Sequence, residues 1–190
     1  NSVLLQPLAV TPGTGVVTYS YSVLLHPANS MVSSGGPTGG DGFIIHDATL
    51  DPYPYGGNVA GIPGLISGTE LFAPSAAGAA FTFSDTGSDG AITANYTGSQ
   101  IDAFGSTNVL LGVFSFQSIY LPGATLQYTG YDTSYDGATQ VHGTVNSDGM
   151  RGPGPSGGAQ PAPLPAAFAP SLALLCGVGA FMVRRRKAAV

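Results

Sequence analysis

Two stretches of this chain pair carboxylates at a spacing that suits a hard cation. Asp85-Thr86-Gly87-Ser88-Asp89-Gly90 and Asp132-Thr133-Ser134-Tyr135-Asp136-Gly137 share the form Asp-x-small-x-Asp-Gly. Two carboxylates and a following glycine are the opening half of a calcium loop, which needs a tight cage of oxygens. The closing half is missing, because the twelfth position, where a bidentate Glu would sit, is Tyr96 in one stretch and Gly143 in the other. The spacing therefore reads first as two hairpin turns in which Asp caps the bend and Gly takes positive φ. Weak calcium binding, at Asp85 and Asp89 or at Asp132 and Asp136, is the alternative. No other cofactor is implied.

Histidine offers less. His26, His46 and His142 are the only three, and a Ser-His-Asp set can be drawn from them on paper, but no Gly-x-Ser-x-Gly elbow or other nucleophile context accompanies it. His26-Pro27 reads as a turn closing a strand, and His142 falls on the polar register of residues 139–145. His46 with Asp47, after Asp41, has donors for a metal, yet neither an HxH nor an HExxH spacing supports zinc. No catalytic residue is assigned and no enzymatic activity is expected. Tyr53, Tyr55, Tyr128, Tyr131 and Tyr135 fall in or beside expected loops. Tyrosine there can stack on sugar rings or anchor a protein contact, so Tyr53, Tyr55, Tyr131 and Tyr135 are candidates for a glycan or protein surface; the plainer reading makes them half-buried strand-end residues.

Charge narrows the function classes. All ten acidic residues lie between Asp41 and Asp148, and all five basic ones at or beyond Arg151, so residues 1–150 carry a formal −10 and residues 151–190 carry +5, the sum being −5. A body without Lys or Arg cannot neutralise phosphates, which argues against nucleic acid as a partner. Nor can it form internal salt bridges except to a protonated His, so its stability must come from apolar burial and backbone hydrogen bonds. The single cysteine, Cys176, lies in the C-terminal apolar segment, which leaves the body without a disulfide; about 150 residues can bury a core without one.

These residues need positioning elements, and the body reads as all-β. Val17-Thr18-Tyr19-Ser20-Tyr21-Ser22-Val23 alternates apolar and hydroxylated residues, the period-2 pattern of a half-buried strand. Phe43-Ile44-Ile45, Ala80-Phe81-Thr82-Phe83, Ile92-Thr93-Ala94-Asn95-Tyr96, residues 109–116, 125–129 and 139–145 add further strands, separated by turn signals such as Leu121-Pro122-Gly123. The expected fold is an antiparallel β-sandwich, jelly-roll or Ig-like, over residues 1–148. Residues 51–68, rich in Pro, Tyr and Gly, are expected as a long loop across one end. Residues 149–163, with four prolines and five glycines and no aromatic or β-branched residue, are expected as a flexible stalk that cannot bury enough surface to fold.

The tail speaks to location. Residues 166–183 carry no charge and are interrupted only by Pro170 and Ser171, and Arg184-Arg185-Arg186-Lys187 follows directly. Eighteen residues at a ~1.5 Å rise span about 27 Å, close to the ~30 Å hydrocarbon core of a bilayer. A basic cluster behind such a span stays on the cytoplasmic side, which places the body outside. The chain opens on Asn1, which carries the expectation of a secretion signal cleaved ahead of it.

Residues 162–190 resemble the PEP-CTERM sorting signals, in the variant that reads Val-Pro-Leu-Pro-Ala before its apolar helix. Here the motif is Ala162-Pro163-Leu164-Pro165-Ala166, with the leading Val replaced, followed by the span and by Arg184, Arg185, Arg186 and Lys187. The resemblance implies export in a polysaccharide-producing bacterium and recognition by an exosortase, with cleavage near the motif. The body is similar to a group of such proteins through Thr18-Tyr19-Ser20-Tyr21-Ser22-Val23, Gly40-Asp41-Gly42-Phe43-Ile44-Ile45, Ala94-Asn95-Tyr96-Thr97-Gly98, Leu110-Leu111-Gly112-Val113-Phe114-Ser115, Gly130-Tyr131-Asp132 and Gly143-Thr144-Val145. It implies a structural surface, matrix or biofilm protein and transfers no catalytic residue. An expected variant is self-assembly, with Val3-Leu4-Leu5 added as a strand to a neighbour's sheet. The alternatives are a carbohydrate-binding or adhesin module and, less well supported, a secreted hydrolase.

Overall fold

The alternation read at Val17 is a strand in full. In the computed structural model, which describes residues 3–33, 41–47, 61–85, 91–134, 140–154 and 157–158, all within the unit formed by residues 1–160, strand β2 (Val17–Leu25) follows β1 (Val3–Pro12). In β2 the residues Val17, Tyr19, Tyr21, Val23 and Leu25 are buried and those between them are half-exposed, as an apolar face on a pleated strand requires. β3 (Asn29–Met31), β4 (Gly42–Asp47), β5 (Leu71–Pro74), β6 (Phe81–Ser84), β7 (Ile92–Tyr96), β8 (Ile101–Asp102), β9 (Val109–Ser118), β10 (Pro122–Ser134) and β11 (Gln140–Pro153) complete the described elements.

The strands form two antiparallel sheets. One is ordered β1-β2-β9-β5; the other is ordered β6-β7-β4-β10-β3-β8, with β11 also paired to β10. The two share an aromatic core. Tyr19 stacks on Phe116 and Tyr21 on Phe114 across the β2–β9 pair, and Phe114 meets Phe43 and Phe83 of the opposite sheet at 5.4 and 5.1 Å between ring centroids. Each such side chain removed from water contributes about 1.5–3 kcal/mol, and offset or edge contacts add to it. In a body without ion pairs between Lys or Arg and carboxylates, this core is the dominant source of stability. The sandwich-like all-β expectation therefore holds for the described residues.

Three boundaries differ from the sequence reading. β11 does not stop near residue 145 but runs to Pro153: Arg151 pairs with Thr125, Gly152 with Ala124 and Pro153 with Pro122. Met150, Gly152, Pro153 and Gly154 are buried, and Gly154 N–H donates to the Leu121 carbonyl. The first residues of the expected stalk thus belong to the sheet. Composition misled because glycine there serves contact: a Cβ on Gly152 would lie 2.2 Å from Leu126 Cγ. Secondly, Val3-Leu4-Leu5 pairs with Leu25-Leu24-Val23 as part of the edge strand of its own sheet, with Val3 and Leu5 buried. Thirdly, the end of the expected 51–68 loop packs along β9, where Leu65 bridges Ser118 and Ile66 N–H donates to the Gln117 carbonyl.

Among the described residues no helix is long and apolar enough to cross a membrane. The expected span at 166–183, the motif 162–166 and the cluster 184–187 lie outside the described residues, as do residues 51–60.

Candidate functional site

β10 changes partners part-way along. It pairs with β4 as far as Tyr131 opposite Gly42, then with β3 from Thr133 opposite Ser30. Asp41 sits in the gap between those two partners. Its N–H donates to the Val32 carbonyl at 3.1 Å, Val32 N–H donates back to its Oδ2 at 2.7 Å, and Thr133 Oγ1 donates to Oδ1 and Oδ2 at 3.2 and 3.1 Å. Tyr96 N–H donates to the Asp41 carbonyl at 2.7 Å. Gly42 makes this approach feasible, since a Cβ there would lie 1.9 Å from the Ala94 carbonyl oxygen.

Asp132 is one register step past the Tyr131–Gly42 pair, level with Asp41. Both aspartates are fully buried, at 0 % exposure. Asp41 is well bonded; neither oxygen of Asp132 has a partner. Burial first, and the Asp41 charge second, push the Asp132 carboxyl up to about 8. Asn29, 6 % exposed, offsets a little of this, but its Nδ2 closes no full hydrogen bond either. On the far side of β3, Ser30 Oγ donates to Asp102 Oδ1 at 2.6 Å and Gln100 Nε2 donates to it at 2.9 Å. Those two bonds, Gln100 first, hold the Asp102 carboxyl below the usual carboxylate range.

The predicted site residues divide unevenly. Asp132 is a buried strand residue and not the cap of an exposed bend, which corrects the turn reading for that half of its motif. Asp85 stands at the end of β6, half-exposed, and accepts from the Ser67 hydroxyl, three strands from Asp132 in the sheet order. Asp89 and Asp136 lie outside the described residues. Tyr131 is 6 % and Tyr128 2 % exposed, so both are core residues of β10; Tyr131 is withdrawn as a glycan or protein contact because its ring is not accessible. Tyr53, Tyr55 and Tyr135 lie outside the described residues. His26 Nδ1 is 3.0 Å from the Pro27 carbonyl, His46 is buried, and the side chain of His142 lies outside the described residues. Among the described residues no three His, Cys, Asp or Glu side chains gather as a metal cluster.

Sequence reasoning missed Asn29 and named Asp41 only beside His46 and Asp47, not with Asp132. Gly40-Asp41-Gly42 has the composition of a turn, and nothing local reveals that Asp41 meets a strand 92 residues on through Thr133. No protein-family model, curated protein or solved structure matches the chain.

Proposed function

We propose that this chain is an exported bacterial surface or matrix protein without enzymatic activity, whose body, a β-sandwich of jelly-roll or Ig-like kind, is presented outside the cell and processed by an exosortase. The observation that carries the reading is the order of the tail: Ala162-Pro163-Leu164-Pro165-Ala166, an uncharged span at 166–183, then Arg184-Arg185-Arg186-Lys187. A span of bilayer length with four cations directly behind it, against the single Arg151 ahead of it, would cross once and leave the acidic body outside. The tail then serves as a membrane-inserted sorting signal with the exosortase as its partner. Intact-mass measurement of the surface-exposed protein tests this. In cells with an active exosortase the mature mass should lack Arg184–Val190; a mass that keeps those residues defeats the processing claim.

A second reading, contact with a neutral extracellular polysaccharide, is favoured by one feature of the body. The strands β1, β2, β9 and β5 contain no charged residue, and half-exposed Thr18, Ser20 and Ser22 stand beside Gln117, Ser115 and Val113. Such a face can exchange hydrogen bonds with sugar hydroxyls without desolvating a charge. Co-sedimentation with the producer's own polymer, compared with an anionic one, tests it; equal binding to neither counts against it.

A further inference from the structure

Asp132 has nowhere to place a negative charge. It is 0 % exposed, both its oxygens are unpartnered, and the neighbouring strand brings a second fully buried carboxylate, Asp41, level with it. The common remedy, a Lys or Arg, is absent from residues 1–150, and the side chain of Arg151 is exposed. Two like charges in a dry interior are among the least favourable arrangements a fold can hold unless a cation joins them. The surroundings supply neutral oxygens. Thr133 Oγ1 is already against both Asp41 oxygens. The Asn29 amide presents an Nδ2 without a partner, and turning that amide over puts Oδ1, an acceptor, in its place.

We propose that Asp41 and Asp132, completed by the Asn29 amide and the Thr133 hydroxyl, bind one hard divalent cation of the calcium class and so fasten β3, β4 and β10 together at the point where β10 changes partners. Carboxylate, amide and hydroxyl oxygens suit such an ion, whereas zinc and copper favour imidazole or thiolate. Oxygens contributed from three strands fit calcium, which tolerates irregular geometry and 2.3–2.6 Å bonds, better than magnesium with its near-ideal octahedron. The site shares Asp132 and Thr133 with the second Asp-x-small-x-Asp-Gly stretch but draws its other carboxylate from Asp41, 91 residues earlier in the chain.

The test uses the full chain in detergent, stripped with a chelator and titrated with calcium chloride against sodium chloride of matched ionic strength and against magnesium chloride. Thermal unfolding and sensitised terbium luminescence are both read. Expected are one bound ion per chain, displacement of terbium by calcium, and a calcium-specific rise in Tm. Asp132→Asn, a neutral near-isostere of the carboxyl that should fold, is expected to weaken binding at least tenfold and remove the Tm rise. Asp85→Asn, which changes the half-exposed carboxylate just after β6, should leave both unchanged. Asp41→Asn should weaken binding too; if it fails to fold because an NH2 donor replaces one of the two oxygens that accept from Val32 N–H and the Thr133 hydroxyl, Asp132→Asn decides alone. The proposal is overturned if calcium does no more than matched sodium chloride, if binding survives Asp132→Asn, or if Asp85→Asn abolishes it.

Discussion

A carboxyl group that holds its proton to about pH 8 reverses the usual acid sensitivity of folding. In the cation-free protein the folded-state pKa of Asp132 lies above its unfolded value of ~3.9. Folded chains then bind more protons than unfolded ones between about pH 4 and pH 8, so this group's contribution is fully present below that window and is lost as pH rises through it, at up to about 1.4 kcal/mol per pH unit. Around it, Asp41 faces it from the β4 side, the neutral Asn29 from β3, and Val141 opposes it on β11, while the N-terminal ammonium and then Asn29 offset part of the rise. Asp102 works in the opposite sense, with stability lost only as pH falls through its depressed pKa, and its side chain is too exposed for that to weigh much. Denaturant midpoints measured in chelator should fall from about pH 5 to about pH 8, and Asp132→Asn should flatten that fall. A wild-type protein more stable at the higher pH would show that the charge has a partner. A second residue-scale expectation concerns Tyr21, whose hydroxyl donates to the Arg151 carbonyl at 2.9 Å and ties β2 to β11 across the two sheets. Burial raises its pKa, so it stays a donor at any ordinary pH. Tyr21→Phe keeps the ring contacts with Phe114 and Phe116 and should cost about 1 kcal/mol, the size of one hydrogen bond, read as a lower Tm. The burial of Tyr19 and Tyr21 was legible in the sequence because they alternate with Ser. Asp132 was not, because its own motif resembles a turn and its burial depends on a distant strand.

At the scale of elements, legibility followed periodicity. β2 and β9 declare themselves through alternation or a sustained apolar run, and the turn residues between strands mark their ends. β1 was passed over as a strand of its own sheet because Pro7 and Pro12 interrupt it. Both prolines lie on the outer, exposed part of an edge strand, with a register shift after Pro7, where a missing N–H costs no ladder bond and blunts addition of another chain. The end of β11 was misread for the opposite reason, since Gly149-Met150-Arg151-Gly152-Pro153 looks like a linker by composition alone. Its glycine at 152 leaves room for Leu126, and Gly152→Ala must displace that side chain from a packed core. The expected loss is about 1–3 kcal/mol, seen as a lower denaturant midpoint of the full chain. An unchanged midpoint would return these residues to the stalk. The core itself offers a stronger check. Phe114 touches Tyr21, Phe43, Phe83 and Phe116, so Phe114→Ala should cost about 3–5 kcal/mol, a large share of the stability of a domain this size.

At the scale of the molecule, charge is segregated by sheet among the described strands. The acidic bias of residues 1–150 is plain in the sequence, but which surface it occupies depends on strand pairing that no local pattern reveals. The strands β1, β2, β5 and β9 hold no charged residue, while Asp102 and Asp132 belong to the other sheet and Asp41 adjoins it. Ten carboxylates without a Lys or Arg before residue 151 repel one another, and folding gathers them into a smaller volume. Salt should relieve this, because the screening length falls from about 30 Å near 0.01 M to about 3 Å near 1 M. The Tm of the chelator-treated chain is therefore expected to climb with sodium chloride, most steeply at the low end, where added ions shorten that length fastest. The same climb should persist in Asp132→Asn, since a fully buried group contributes little to a surface effect, whereas the calcium-specific increment should vanish in that variant. Two independent responses to ions would then be separated in one protein: a diffuse one that any salt supplies and a local one that needs Asp132. A sodium chloride response that is flat or downward would mean that the carboxylates lie too far apart to repel, and the acidic surface would then cost the fold nothing.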